Sequence, residues 1–272
     1  MKKIGFIGYG SMGNMLIQGF LFSGAVNPEK VVVSTRTISK LTPLKKSYPP
    51  IEITQKNKDL ALKCSKIFLF VNTGEVKTVL DDIKSNLDEN NHIIYIAAGL
   101  SMKNIESQFK GKVSKVIPSL TSEVKEGVSL VCHNQQVGQK DAGFVESLFN
   151  KIGNVKVINE KDLEVVSDLT SCAPAFIALI FQEFARAGYD NSDLTRKEAE
   201  DLVVKTLLGT SKLLFEMSPE DLMSRVATRG GITEEGLKVL RNKLPSLFQE
   251  LFQVTLQKHD HIKELLDEEY SS

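Results

Sequence analysis

At 272 residues the chain is long enough for one large domain or two ordinary ones. Its 34 Lys and Arg balance its 34 Asp and Glu, so it lacks the charge excess that nucleic acid or an anionic membrane surface favours; small molecules and further copies of itself are the expected partners. Cys64, Cys132 and Cys172 are far apart and form no C-x-x-C pair, which speaks against a zinc site or a disulfide framework and for a reduced, cytoplasmic protein.

The stretch from Lys2 predicts a short apolar strand that runs into Gly8-x-Gly10-x-x-Gly13, and Met15, Leu16, Gly19 and Phe20 continue as a helical pattern. Glycines at a strand-to-helix turn suit a dinucleotide pyrophosphate. Gly8 allows the sharp turn, Gly10 lets backbone approach the phosphates, Gly13 lets helix pack on strand, and the helix start offers N–H groups to the anion. Gly8, Gly10, Ser11, Met12 and Gly13 are therefore candidate cofactor residues. Because Gly5, Gly8 and Gly10 interrupt the apolar run, it does not read as a secretory signal. No stretch is expected to reach the roughly 18 to 20 apolar residues of a membrane span.

Val31 to Arg36 predicts the second strand and completes a β-α-β unit. Where an enzyme preferring NAD usually carries an Asp or Glu, this strand ends in Ser34, Thr35 and Arg36. A hydroxyl and a guanidinium suit a 2′-phosphate, so NADP is expected, with NAD possible; an ordinary exposed loop Arg is the alternative for Arg36. Further strands are predicted at Ile51 to Thr54, Lys66 to Val71, His92 to Gly99, Val113 to Ile117, Gly127 to Val131 and Val155 to Ile158. Val71, Asn72 and Thr73 end the fourth, where Asn72 and Thr73 are either cofactor-edge residues or a plain turn. Ala97, Ala98 and Gly99 end the fifth, with small side chains that leave room for a ligand.

After Asn159 the period changes. Ile177, Ile180, Phe181, Phe184 and Gly188, then Leu202, Leu207, Leu213 and Leu214, fall at helical spacing. Phe176 to Ala187 is apolar on nearly every side, which predicts a helix that packs on a partner subunit as well as on its own core. The expected fold is α/β: an N-terminal Rossmann-type doubly wound sheet over residues 1–160, then an all-helical dimerisation and substrate domain over 161–272. The charged end, Lys263 to Ser272, is expected to fray.

Arg229-Gly230-Gly231-Ile232-Thr233 precedes another apolar helical face, Leu237, Leu240 and Leu244. Thr233 reads as its N-cap, and a carboxylate could sit there; a flexible turn with an ordinary cap is the alternative. The four histidines, His92, His133, His259 and His261, form no cluster, and no metal site is expected. Cys172 reads as a small buried residue rather than a nucleophile.

Taken with the opening fingerprint, Ile96 to Gly99, Val116-Ile117-Pro118, Leu169 to Phe176, Leu207 to Lys212 and Gly230 to Leu237 resemble the pyrroline-5-carboxylate reductase family over essentially the whole chain. The family's usual L-S-G-S-G-P-A-Y stands here as Leu169-Thr170-Ser171-Cys172-Ala173-Pro174-Ala175-Phe176, its S-P-G-G-T-T as Thr228-Arg229-Gly230-Gly231-Ile232-Thr233, and its M-P-N-T-P as Ile117-Pro118-Ser119-Leu120-Thr121. These departures resemble a divergent branch associated with late competence operons.

The resemblance implies hydride transfer from a reduced nicotinamide to the C=N carbon of a cyclic imine, 1-pyrroline-5-carboxylate, giving proline. It implies carboxylate contacts at Thr228, Gly230, Gly231 and Thr233, and catalytic roles for Ser167, as a hydroxyl near the imine, and for Thr233. A Ser within a helix also commonly bonds only its own backbone. The expected partners are a small imino acid and one or more further copies of the chain, with neither nucleic acid nor membrane. The alternatives are a dinucleotide-binding regulatory relative without turnover, to which Ser171, Ala173 and Ile232 point, and a reductase of a different imino acid.

Overall fold

The computed structural model describes residues 3–271; Lys2, at the expected start of the first strand, and Ser272, at the expected end of the tail, lie outside the described residues with Met1. Eight strands form one sheet: β1 (Lys3–Ile7), β2 (Val31–Ser34), β3 (Glu52–Thr54), β4 (Cys64–Leu69), β5 (His92–Tyr95), β6 (Lys112–Ile117), β7 (Gly127–His133) and β8 (Gly153–Val157). Their order is β3-β2-β1-β4-β5-β6-β7-β8. Neighbours are parallel except β6 and β7, which run antiparallel. The chain thus begins in mid-sheet, winds to one edge, and returns to the other side of β1. That reversal creates a crevice beyond the carboxyl ends of β1 and β4 where such sheets bind ligands.

The helices are α1 (Ser11–Phe22), α2 (Thr42–Ser47), α3 (Asn57–Lys63), α4 (Val76–Ile83), α5 (Met102–Gln108), α6 (Gln139–Asn150), α7 (Leu163–Ser167), α8 (Ala173–Asp190), α9 (Arg196–Leu214), α10 (Pro219–Val226) and α11 (Ile232–Ser271). Strand alternation sorts the side chains into two layers. Phe6, Val31, Val33 and Phe68 meet Leu16 and Phe20 of α1 and Val145 and Phe149 of α6 on one face. Ile7, Val32, Ile67 and Tyr95 meet Leu80 and Ile83 of α4 and Ile105 of α5 on the other. Phe6 and Phe68 stack with ring centroids 4.9 Å apart. Burying one such ring stabilises by about 2 to 3 kcal/mol.

A polar belt lies on the α6 side of the sheet. His92 Nε2 and His133 Nδ1 each stand 2.6 Å from Ser114 Oγ, and His133 Nε2 is 3.4 Å from Glu146. One hydroxyl hydrogen can serve only one ring, so Ser114 donates to one imidazole and accepts from the other. Burial pushes His92 down to about 3 and His133 below its ordinary value. Lys66 and Lys112 both pair with Asp141 beside them.

The chain divides into two compact units, Met1–Cys172 with Leu256–Ser272, and Ala173–Thr255. The first therefore holds more than the expected residues 1–160. Residues 161–172 and the last turns of α11 pack with the sheet, because Leu163 joins a buried cluster with Ile117 and Leu130, and Leu266 and Tyr270 join the one that covers β4 and β5. The end of α11 is accordingly not frayed. Leu266 and Tyr270 are buried, Asn104 Nδ2 donates to Asp267 at 2.9 Å, and the Lys77 ammonium sits 5.5 Å from the Tyr270 ring centroid.

The second unit has almost no interior of its own. In α8 only Ala185 is buried, in α9 only Ala199, and in α10 none. The expected burial of α8 on several faces is not met within one chain: Leu179 and Phe184 are 59% and 69% exposed. The stretch Glu160–Asp190 is also long and apolar enough, by length and composition, to cross a membrane, contrary to expectation. The physical reason is continuity, since α7, a π-turn at Asp168–Cys172 and α8 join into one helical run.

Candidate active site

The opening turn is built as the glycine spacing requires. Gly8 has φ +105°, and a Cβ there would lie 2.3 Å from the Phe70 carbonyl oxygen. At Gly13 a Cβ would lie 2.8 Å from the Gly8 carbonyl oxygen. These two glycines close the turn against β4. Gly10 is different, because no atom stands within 4 Å of its would-be Cβ. It caps α1, which has no side-chain capping bond and no acid in its first turn. Unspent N–H groups at a helix start attract an anion.

A groove of about 650 Å³ opens over this turn, lined among others by Gly8, Tyr9, Gly10, Ser34, Thr35, Arg36, Asn57, Val71, Asn72 and Glu75. Six of the sequence candidates thus meet in one cavity: Gly8, Gly10, Thr35, Arg36, Val71 and Asn72. Of the rest, Ser11 begins α1, Met12 packs against the core beneath it, and Gly13 closes the turn. Thr73 Oγ1 donates to the Ala98 carbonyl at 3.1 Å, tying the loops after β4 and β5 together. Ala97 is buried. Gly99 does not leave room for a ligand as expected: a Cβ there would stand 2.5 Å from Ile262 of α11. The small residue makes way for that helix.

Asn57 and Glu75 line the groove without having been expected there. Asn57 accepts from Ser34 Oγ at 2.7 Å, across 23 residues of sequence, so only the packing of α3 beside β2 brings it in. As a residue opening a helix it carried the sequence signal of a cap. The groove suits a dinucleotide, since it has an open backbone approach at Gly10, a free helix start, and Arg36 and Lys40 at its rim.

Ser167 is buried, and its hydroxyl donates to the Glu164 carbonyl at 2.8 Å, the local bond expected of a helical Ser. The π-turn that follows has a covalent cause. Pro174 has no N–H to offer the Thr170 carbonyl, which instead accepts from Ser119 Oγ at 3.0 Å. Ser119 follows β6, so this bond fixes the π-turn to the carboxyl end of the sheet. Asp168, also buried, stands 3.7 Å from His259 Nε2. Cys172 is half-buried rather than buried, and that burial, with its bond to Asp168, raises its thiol, the direction that speaks against a nucleophile.

In the second unit, Thr228, Gly230, Gly231 and Thr233 surround the start of α11. The helix begins at Ile232, so Thr233 is its second residue and not its N-cap. Gly231 takes the tight position: its N–H donates to the Thr228 carbonyl at 2.9 Å, and a Cβ would meet Thr228 Oγ1 at 2.4 Å. Gly230 has φ +72°, and its N–H donates to Glu234 at 2.6 Å. Glu235 pairs with Lys238 at 2.6 Å. Among the described residues no group of three or more metal-ligating side chains occurs.

Known proteins match both halves. A family model described as pyrroline-5-carboxylate reductase dimerisation matches residues 160–262, and one described as NADP oxidoreductase, coenzyme F420-dependent, matches residues 3–99. Pyrroline-5-carboxylate reductase 3 of Bacillus subtilis is 35% identical over 267 residues, 97% of this chain and 98% of that protein. ComE operon protein 4 of the same organism is 30% identical over 260 residues, 95% of each. The pyrroline carboxylate reductase of Plasmodium falciparum, solved with NADP bound, superposes with a TM-score of 0.83 at 25% identity over 96% of this chain and 98% of that one.

Proposed function

The chain belongs to the pyrroline-5-carboxylate reductase family, and on that premise we propose that it reduces 1-pyrroline-5-carboxylate to proline with NADPH. The observation that carries this reading is the groove over Gly8, Gly10 and Arg36, in a chain that aligns with the Bacillus reductase over 97% of its length. NADPH, when bound, supplies the hydride for the imine carbon. The chain's own part is to hold and align. Gly10 admits the pyrophosphate to the start of α1, and Thr35 and Arg36 take the 2′-phosphate. Gly230, Gly231 and Thr233, with Thr228, receive the substrate carboxylate at the start of α11. A protonated imine already carries positive charge, so alignment matters more than acid catalysis, and Ser167 is the hydroxyl assigned near the imine.

The working form in this reading is a homodimer or larger homo-oligomer in the cytoplasm. Its support is the exposed apolar surface of Leu179, Phe184, Leu202, Val204 and Leu208 within the segment that matches the dimerisation model. A face of this kind with so little interior behind it calls for a partner.

The test is the loss of NADPH absorbance, and separately of NADH absorbance, on adding pyrroline-5-carboxylate to the purified protein. Turnover that is faster with NADPH supports the assignment, and Thr233→Ala then raises KM about tenfold with the fold intact, as expected for a lost hydrogen bond to a charged group. Tight cofactor binding without turnover favours the regulatory relative instead. Two observations point that way: the likeness to ComE operon protein 4, and Glu234 already occupying the Gly230 N–H.

A further inference from the structure

Arg36 follows β2 and Glu75 follows β4, the two strands that flank β1 in the sheet. Their side chains meet at 2.7 Å, between Arg36 Nη2 and Glu75 Oε1. Both line the groove that Gly8, Tyr9 and Gly10 floor. The ion pair therefore runs from one flanking loop to the other at the mouth of the dinucleotide groove. Its two ends are anchored differently. The Arg36 carbonyl accepts from Gln55 Nε2 at 2.8 Å, which holds the backbone while the side chain stays 88% exposed. Glu75 Oε2 accepts from the Asn72 N–H at 3.3 Å, which aims the carboxylate. Glu75 is the fixed partner and Arg36 the one free to swing. The other acid lining the groove, Asp82, faces Lys58 at 3.6 Å.

We propose that Glu75 narrows the preference for the phosphorylated over the plain dinucleotide, its carboxylate holding Arg36 as an internal stand-in for the 2′-phosphate. This rests on the NADP reading of the groove. A 2′-phosphate is a dianion and competes with one carboxylate for a planar guanidinium that binds either in bidentate fashion. NADPH must therefore draw Arg36 away from Glu75. NADH makes no such demand and leaves the pair in place. Glu75 narrows the preference that Arg36 creates, and because the pair is exposed it breaks readily: such pairs shift an equilibrium by no more than about fivefold.

The experiment is a titration of the whole chain with NADPH and with NADH, read by the fluorescence of the reduced nicotinamide with no imine present. Glu75→Gln keeps an amide oxygen for the Asn72 N–H and removes only the charge. Its NADPH Kd falls about fivefold, while its NADH Kd moves less than about twofold. Made on top of Arg36→Gln, the same change gives no NADPH gain. Equal shifts for both dinucleotides, or a gain that persists without Arg36, overturn the proposal while leaving the reductase assignment standing. A wild-type chain that binds neither dinucleotide overturns the NADP reading itself and the proposal with it.

Discussion

Two helices in this protein begin behind a pair of closely spaced glycines, and they are prepared for an anion in opposite ways. At α1 the glycines Gly8 and Gly13 are packed against backbone, Gly10 faces open space, and the first turn carries no acid. At α11 Gly231 is packed on Thr228, while the first turn carries Glu234 and Glu235, and Glu234 already accepts the Gly230 N–H. The first start keeps its N–H groups free of any side-chain acceptor; the second comes with its own carboxylate. Similar local geometry therefore says little about affinity until the charge of the first turn is counted. In the proposed reading, a substrate carboxylate at α11 competes with a side chain that belongs to the helix.

The largest effect expected on this contrast comes from Gly8→Ala. A Cβ at positive φ and 2.3 Å from the Phe70 oxygen costs about 3 kcal/mol through strain and overpacking. Urea unfolding reads that as a lower midpoint at unchanged slope. Gly10→Val separates binding from folding, since a Cβ there meets no atom within 4 Å. NADPH affinity is expected to drop about a hundredfold, because the methyls occupy the approach to the phosphates, with the unfolding midpoint moved by less than about 0.5 kcal/mol. A comparable loss of stability would break the claim that Gly10 is kept for the ligand.

Acid bounds the window in which the two starts can be compared. His92 is held neutral in the fold, down to about 3, while the unfolded chain takes up its proton near the ordinary value of 6.5. The unfolded state binds more protons in between, so stability falls as pH drops below that ordinary value, by about 1.4 kcal/mol per pH unit for this one ring. His133, shifted the same way, adds to the slope. The Asp141 carboxyl is pushed up by burial, but the hydrogen bonds from Lys112 and Lys66 outweigh this and bring it to about 2. Its contribution is present above its ordinary value of 3.8 and is lost below that. Unfolding free energies at pH 7, 6 and 5 test the sign, and His92→Gln is expected to flatten the curve.

The smallest effect sharpens the contrast most. Glu234→Gln removes the charge at the start of α11 but keeps an acceptor for the Gly230 N–H. KM for pyrroline-5-carboxylate is expected to fall about threefold, the size of one charge near a helix end, and kcat to stay constant. An unchanged KM would mean that the substrate carboxylate does not meet this helix start.

Most of the first unit could be read from local pattern. Each of the eight strands was signalled by a short apolar or alternating run, and the turn at Gly8 to Gly13 by three glycines whose separate jobs follow from the backbone alone. Other features were illegible because distant residues decide them. Asn57 is in the groove because α3 packs beside β2. Gly99 is small because Ile262 lies on it, and no signal near Gly99 announces a helix from the other end of the chain. Thr233 resembled a cap, yet Gly231 nests on Thr228 and lets the helix begin two residues earlier, at Ile232. The tail resembled a frayed end because charge outweighs its two apolar anchors, Leu266 and Tyr270, which count only once the layer over β4 and β5 exists to receive them.

What the amino-acid sequence determined by itself is the set of elements, the glycine turn and the arginine at its rim, since backbone freedom, strand alternation and side-chain chemistry act over a few residues. What only the tertiary structure decided is which partners those residues meet: Glu75 across the groove from Arg36, Ser119 on the carbonyl that Pro174 leaves unpaired, and the end of α11 against Gly99. Those contacts join residues 39 to 163 positions apart. They depend on the order in which strands lie side by side, and no local preference encodes that order.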